Sequence, residues 1–297
     1  MEFRTGFVGI VGPTNAGKST LMNGLIGQKI SIVSAKTQTT YHGIRGVVNR
    51  PSSQIILVDT PGFQNVQDGV ARLLNRVADK NAEECDLLVW VFDVSGRGFR
   101  RQIDVLRERV GALNRKQKGL CILNKVDQVP KPTLLPLLQE LHGWDLFAEI
   151  IPISALKDKK FETLLNAIEG RLPEAQALFP MDMMTDRNEQ FLVSELIREK
   201  IYAATHQEVP YATWVEIESW EEQKPCPVIS ARIHVDTDSK QGILIGEKGE
   251  RLKNIGIAAR KEIETLVGRQ VCLKLRVDVR RDWKRDRNFV NRYLELT

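Results

Sequence analysis

The sequence predicts an α/β chain in two parts, a domain built on a mostly parallel sheet followed by a smaller α+β domain. Three observations support this. Short apolar runs rich in β-branched residues recur through the first half, spaced to leave room for crossover helices. The stretch Leu172–Gln190 carries two prolines and breaks that rhythm. Beyond it come an amphipathic helix, two alternating runs, a glycine loop, a second helix and a last alternating run.

Taken in order, buried strands are expected at Phe7–Gly12, Gln54–Asp59, Asp86–Asp93, Gly119–Asn124 and Glu149–Ser154. His42–Val48 is expected to pair with the second of these as an antiparallel edge hairpin. After the boundary, Glu189–Thr205 reads as a helix, Thr213–Trp220 and Val228–Thr237 as strands, Glu250–Gly268 as a helix and Val271–Val279 as a strand. The order is α-β-β-α-β, with room for a short turn at the glycine loop. The domain limits are 1–175 and 191–297, joined by a linker at 176–190.

The 297 residues are 42% hydrophobic and 27% charged, values of a soluble globular protein with a sizeable core. The longest apolar run, Leu87–Phe92, is far too short to cross a bilayer. The first residues run into a strand and have no secretory pattern. Cys85, Cys121, Cys226 and Cys272 show no metal-like or redox spacing, so a reduced cytoplasmic protein is expected. The net charge of +5 is unevenly placed. From Lys240 onward 15 Lys or Arg face 8 Asp or Glu, a balance of +7, so the preceding 239 residues sum to −2. A basic domain suggests a polyanionic partner, most often nucleic acid; a solvated charged face is the plainer alternative.

"GPTNAGKS", Gly12–Ser19, matches G-x-x-x-x-G-K-S directly after a strand and before a helix. Its glycines let backbone N–H groups curl around phosphates, and the helix N-terminus favours the anion. Gly12, Pro13, Thr14, Asn15, Ala16, Gly17, Lys18, Ser19 and Thr20 form the expected cradle. Lys18 is to neutralise the β- and γ-phosphates and Ser19 to ligate Mg2+. "DTPG" ends a strand, offering Asp59 to Mg2+ and the Gly62 N–H to the γ-phosphate. "NKVD" ends another: Asp127 can accept from guanine N1–H and N2–H2, Asn124 can brace the loop and the Lys125 stem can cover the base. "SAL", Ser154, Ala155 and Leu156, offers the Ala155 N–H to guanine O6. The ordered set predicts a P-loop GTPase domain that binds GTP and GDP with Mg2+.

Between the cradle and Asp59, "SIVSAKTQTTYHG" suits a switch that orders around metal and γ-phosphate. Thr40, with Thr39 close behind, is the expected metal-ligating hydroxyl. Phe63 stands where many GTPases place a water-orienting glutamine, and Gln64 is the nearest substitute. The Asn15 amide is a candidate ligand for K+ beside the β–γ bridge. Slow intrinsic hydrolysis, faster in K+ than in Na+, is expected.

"GILIGEKGERLK", Gly242–Lys253, fails as a second nucleotide loop, because Glu250 offers no hydroxyl for Mg2+. It fits the G-x-x-G loop of KH domains, which clamps the backbone of about four single-stranded nucleotides. Ile243, Leu244 and Ile245 are expected to floor the bases. Gly246, Glu247, Lys248, Gly249, Arg251 and Lys253 are to line the phosphates. Arg280, Arg281 and Lys284 in the basic tail, with Trp283, complete the expected RNA contacts.

With both halves read, the chain resembles the Era family of bacterial GTPases over essentially its whole length. The match rests on "GPTNAGKS", "QTT", "DTPGF", "NKVD", "SAL", "ILIGEKGERLKNIG" and the "WKRD" tail. The resemblance implies a GTPase domain followed by a smaller α+β type II KH domain. It also implies binding near the 3′ end of 16S ribosomal RNA, help in maturation of the 30S subunit precursor, and partial association with the inner membrane face. A monomer that binds RNA and not DNA is expected. Two departures stand out: "GPTN" where the family commonly has "GRPN", and Glu247, whose carboxylate costs RNA affinity by repulsion. Two readings compete, a GTP-driven switch gating RNA binding and an assembly chaperone for which nucleotide is mainly a structural ligand.

Overall fold

The computed structural model describes residues 2–33, 45–60, 62–63, 78–96, 99–114, 117–158, 161–206 and 208–281. They divide into two compact units, one running to Asp186 and the other from Arg187, with Ile32 and Val33 grouped with the second. No helix among the described residues is long and apolar enough to cross a membrane.

The first unit is a six-stranded sheet flanked by helices. In chain order it holds β1 (Arg4–Val11), α1 (Lys18–Ile26), β2 (Arg45–Arg50), β3 (Ser53–Asp59) and β4 (Leu87–Asp93). Then follow α2 (Phe99–Leu113), β5 (Gly119–Asn124), α3 (Lys131–His142), β6 (Phe147–Pro152) and α4 (Glu162–Glu169). The strand order is β2-β3-β1-β4-β5-β6, with β2 antiparallel to β3 and the other pairings parallel. All seven residues of β3 are buried, which is why its centre, 55–58, reads as an unbroken apolar run. Burying Ile55, Ile56 and Leu57 is worth roughly 1.5–3 kcal/mol each.

The proline-bearing stretch after α4, expected as a linker, is a strap laid along β2 and β3. Gln54 holds it: its Oε1 accepts from the Leu178 and Phe179 N–H groups at 2.8 and 2.9 Å, and its Nε2 donates to the Phe179 carbonyl at 2.8 Å. The Val47 N–H donates to the Met184 carbonyl at 2.8 Å, and Asn49 Nδ2 to the Met183 carbonyl at 3.0 Å. At its end the Thr185 hydroxyl donates to the Arg45 carbonyl at 2.8 Å.

The second unit contains α5 (Glu189–Ala204), β7 (Trp214–Glu221), β8 (Val228–Val235), α6 (Asp238–Ile245), α7 (Glu250–Val267) and β9 (Cys272–Val279). Its sheet runs β7-β8-β9, antiparallel then parallel. The three helices share a core with the strands, through Val193, Ile197, Leu244, Ile255, Ala259 and Ile233 among others. α6 was expected as no more than a turn. Thr237 starts it by accepting from the Lys240 N–H. Gly242 and the two β-branched isoleucines weaken its propensity, so packing of Leu244 decides its existence.

Candidate nucleotide and nucleic-acid sites

The four nucleotide motifs follow the C-terminal ends of β1, β3, β5 and β6, the edge at which doubly wound sheets bind ligands. Gly17 enters α1 at φ 95°, and a Cβ there would collide with the Asn124 amide. The loop therefore closes against "NKVD". Lys18 is buried, its Nζ donating to the Gly12 and Pro13 carbonyls at 3.1 and 2.8 Å. Burial pushes its pKa down to about 8, although Asp59 pulls the other way. An anion seated in the loop would restore its charge.

Asp59 is fully buried and gathers hydroxyls. The Ser19 and Ser31 Oγ atoms donate to its Oδ2 at 3.1 and 2.7 Å. Ser31 is held in turn by Asn23, whose Oδ1 accepts from the Ile30 and Ser31 N–H groups at 3.0 and 2.9 Å. Neither Ser31 nor Asn23 carries a motif that would single it out. The Thr60 hydroxyl donates to the Ile10 carbonyl at 2.8 Å, aiming the chain so that Gly62 lies against Thr14 and Lys18. Thr39, Thr40 and Gln64 lie outside the described residues.

Phe63 turns away from the cradle. Its N–H donates to the Gly12 carbonyl at 3.1 Å, and its ring is buried against Trp90, centroids 5.9 Å apart. The Arg109 guanidinium lies 4.0 Å from the ring centroid and forks onto Asp79. A side chain so enclosed cannot orient an attacking water.

On the base side, Asn124 Nδ2 donates to the Ala16 carbonyl at 2.8 Å, and its Oδ1 accepts from the Lys125 and Ala155 N–H groups at 2.8 and 2.9 Å. The Ala155 N–H expected for guanine O6 is thus engaged by Asn124 here, because the "SAL" turn packs directly on the bracing amide. Lys125, at φ 65°, reaches from the Asn15 carbonyl at 3.0 Å to Asp93 at 2.6 Å. Partial burial opposes ionisation of Asp93, but Lys125 and Ser95 outweigh it and hold its pKa below the usual value. Asp127 accepts from the Ser154 hydroxyl at 2.7 Å and pairs with Lys157 at 3.1 Å; these contacts lower its pKa and keep it an anion. Leu156 is 77% exposed. Asp93 and Lys157 escaped the sequence reading; the only sign of Asp93 is a carboxylate closing an apolar strand.

In the second unit Gly246 sits at φ 72°, ψ 179°, a region essentially restricted to glycine, and a Cβ there would press on Arg251. Lys248 follows at φ 50°, exposed, and α7 begins after Gly249. A groove of about 390 Å³ runs from this loop between α7 and β9. Gly249, Lys253, Gly256 and Arg260 line it, with Leu252, Ile257, Leu273 and Leu275 as its apolar surface. Ile243, Leu244 and Ile245, expected as the floor for bases, are not among the residues lining this groove. Those three lie on α6, whose period buries Leu244, packs Ile245 on the core and leaves Ile243 exposed. Glu247 and Arg251 face a different hollow of about 550 Å³ beside α5, with the Arg251 guanidinium donating to the Ile243 carbonyl. Among the described strands β9 lies at the edge of its sheet, and Gln241 Nε2 donates to its Val277 carbonyl at 2.7 Å. The Arg280 N–H donates to the Val235 carbonyl at 2.7 Å, and Arg281 pairs with Asp238 at 2.9 Å. Lys284 and Trp283 lie outside the described residues.

Both units have matches among known proteins. A family profile described as a 50S ribosome-binding GTPase matches residues 7–125, and a KH-domain profile matches residues 208–284. The chain is 39% identical over 289 residues to a GTPase Era of Syntrophus aciditrophicus, covering 96% of this chain and 92% of that one. It is 38% identical over 294 residues to a GTPase Era of Geotalea daltonii, covering 98% of each. Two solved Era structures match with a TM-score of 0.89 at 37% identity, over 97% of this chain and 98% of theirs. One is a variant from Aquifex aeolicus bound to GDP and AlF4−; the other is a complex with MgGDPNP and nucleotides 1506–1542 of 16S ribosomal RNA.

Proposed function

The chain belongs to the Era family of GTPases, and from that premise we propose that it is a GTP-hydrolysing switch that binds 16S rRNA near its 3′ end and assists assembly of the 30S subunit. The observation that carries this is the near-full-length likeness to an Era captured with a GTP analogue and 16S nucleotides. The profile matching the first half names the large subunit, but it spans only that half; the whole-chain relative favours the small one. In this reading the Gly12–Thr20 loop turns its N–H groups to the phosphates, Lys18 neutralises them, and Asp127 takes guanine N1–H and N2–H2. Ser19, Asp59 and the Ser31 hydroxyl converge as hard oxygen donors, a set that fits Mg2+. Ser19, Asp59 and Thr40 would hold that ion, and when bound it supplies positive charge to the β- and γ-phosphates. The α7–β9 groove takes single-stranded RNA, with Lys253 and Arg260 on phosphates.

With Phe63 buried, hydrolysis relies on positive charge around the β–γ bridge, and K+ held by the Asn15 amide would add to it. Turnover should be slow, faster in K+ than in Na+; equal rates would remove that role. The coupling is tested by measuring GTP turnover with and without an oligonucleotide copying the 16S 3′ end. Severalfold stimulation supports the switch. Unchanged turnover with demonstrable RNA binding favours the second reading, an RNA-binding assembly chaperone with nucleotide as a structural ligand, which the enclosure of Phe63 supports. The protein is expected to act as a cytoplasmic monomer. A peripheral membrane contact rests only on the +7 balance after Lys240; binding to anionic but not neutral liposomes, weakening as salt rises, would support it.

A further inference from the structure

Two of the chain's cysteines lie outside the nucleotide cradle and beside each other. Cys226 sits in the connection between β7 and β8, and Cys272 opens β9. The Cys272 N–H donates to the Pro227 carbonyl at 2.8 Å, and Cys272 stands opposite Val228 in the parallel ladder. This pairing sets Cys272 beside Pro227, the residue that follows Cys226, near enough for Cys272 to act on the Cys226 thiol. Cys272 is exposed and Cys226 half-buried, whereas Cys85 and Cys121 are buried and out of reach of reagents. Among the described residues no three His, Cys, Asp or Glu side chains gather as a metal site, so the pair has no ligand set to complete.

We propose that Cys226 and Cys272 form a site for thiol–disulfide exchange with low-molecular-weight disulfides, closing to a reversible disulfide between the β7–β8 connection and the start of β9. The exposed Cys272 reacts first: as thiolate it attacks one sulfur of RSSR, forming a mixed disulfide and releasing RS−, which takes up a proton. Cys226 then gives up its proton and attacks the Cys272 sulfur, expelling the second RSH. Two cysteine thiols and one RSSR become one protein disulfide and two RSH, so the pair is oxidised by two electrons and the small disulfide reduced by two. Hydrogen bonding to Cys272, burial and Glu264 raise the Cys226 pKa, with Arg260 opposing, which suits Cys226 to the later step. In a reducing compartment such a pair rests as the dithiol and closes only transiently.

The test is covalent and independent of RNA binding. The full chain is incubated with graded ratios of oxidised to reduced glutathione, quenched with acid, alkylated and weighed intact, then mapped by peptide mass. We expect a product that takes up two fewer alkyl groups than the reduced protein, with the Cys226 and Cys272 peptides linked and dithiothreitol reversing the link. Cys226→Ser should stop at one glutathione adduct on Cys272, and Cys272→Ser should react severalfold more slowly. Unchanged circular dichroism and thermal melting of the full chain would show that both variants are folded. A wild-type protein that keeps a stable adduct on Cys272, yields only dimers linked between chains, or stays fully reduced in oxidised glutathione would overturn the proposal.

Discussion

The loop at Gly12–Ser19 folds its lysine inward, whereas the loop at Gly246–Gly249 leaves its lysine on the surface. Lys18 is ringed by carbonyls and desolvated. Lys248 occupies a left-handed turn open to water. The difference teaches how two loops of similar composition serve different phosphates. An enclosed lysine acts in low dielectric, where its charge counts most and salt screens it least. An open basic loop beside a groove binds a polyanion by releasing counterions, with affinity that falls as salt rises.

The sharpest way to break the comparison is Lys18→Met. Turnover of GTP should drop on the order of 10³-fold, the loss of one preorganised electrostatic contact, while oligonucleotide affinity without nucleotide stays unchanged. A parallel loss of RNA binding in filter assays would mean the loops are not separable. Next in size is Asp127→Asn, which removes a carboxylate acceptor for two guanine donors. GTP affinity should fall on the order of 10²-fold, and xanthosine triphosphate should bind the variant better than GTP does. Retained preference for GTP would move guanine recognition elsewhere.

A smaller effect follows from pH. Lys18 has its pKa lowered to about 8 in the free protein, and bound phosphates would raise it again. Binding therefore takes up a proton above pH 8. GTP affinity should be flat below that value and weaken above it, by at most about tenfold per pH unit, as read by titration calorimetry between pH 7 and pH 9. The sign for folding is opposite: the cost of burying the charged lysine is full below pH 8 and is relieved as pH rises toward 10.5. The smallest change is expected from Lys253→Ala or Arg260→Ala. Each should weaken RNA binding severalfold and make the slope of log affinity against log salt shallower by about one, leaving RNA-free turnover intact. An unchanged slope would remove that residue from the phosphate path.

The nucleotide site was legible because each of its motifs is local: a strand end, a tight turn and a helix start within a few residues. What completes it is not local. Ser31, Asn23, Asp93 and Lys157 lie in or beside segments that were read, but nothing in their residue type marked them, and only the packed sheet brings them in. The RNA loop was legible from its two glycines. Its groove was not, because Leu273 and Leu275 belong to a strand whose alternation announces a buried face and says nothing of what that face adjoins. The two-proline stretch reads only as a linker; that one buried amide, Gln54, holds it against the sheet as a strap has no local signal.

That strap ends at a shared anchor. The Thr185 hydroxyl and the Asp186 N–H both donate to the Arg45 carbonyl, and the Asp186 carboxylate accepts from the Arg45 N–H. In mechanical terms Arg45 is a pivot carrying two chain segments, the one that enters β2 and the one that leaves the first unit. A displacement of the backbone at Arg45 therefore acts, through three hydrogen bonds, on Thr185 and Asp186, the last residues of the first unit.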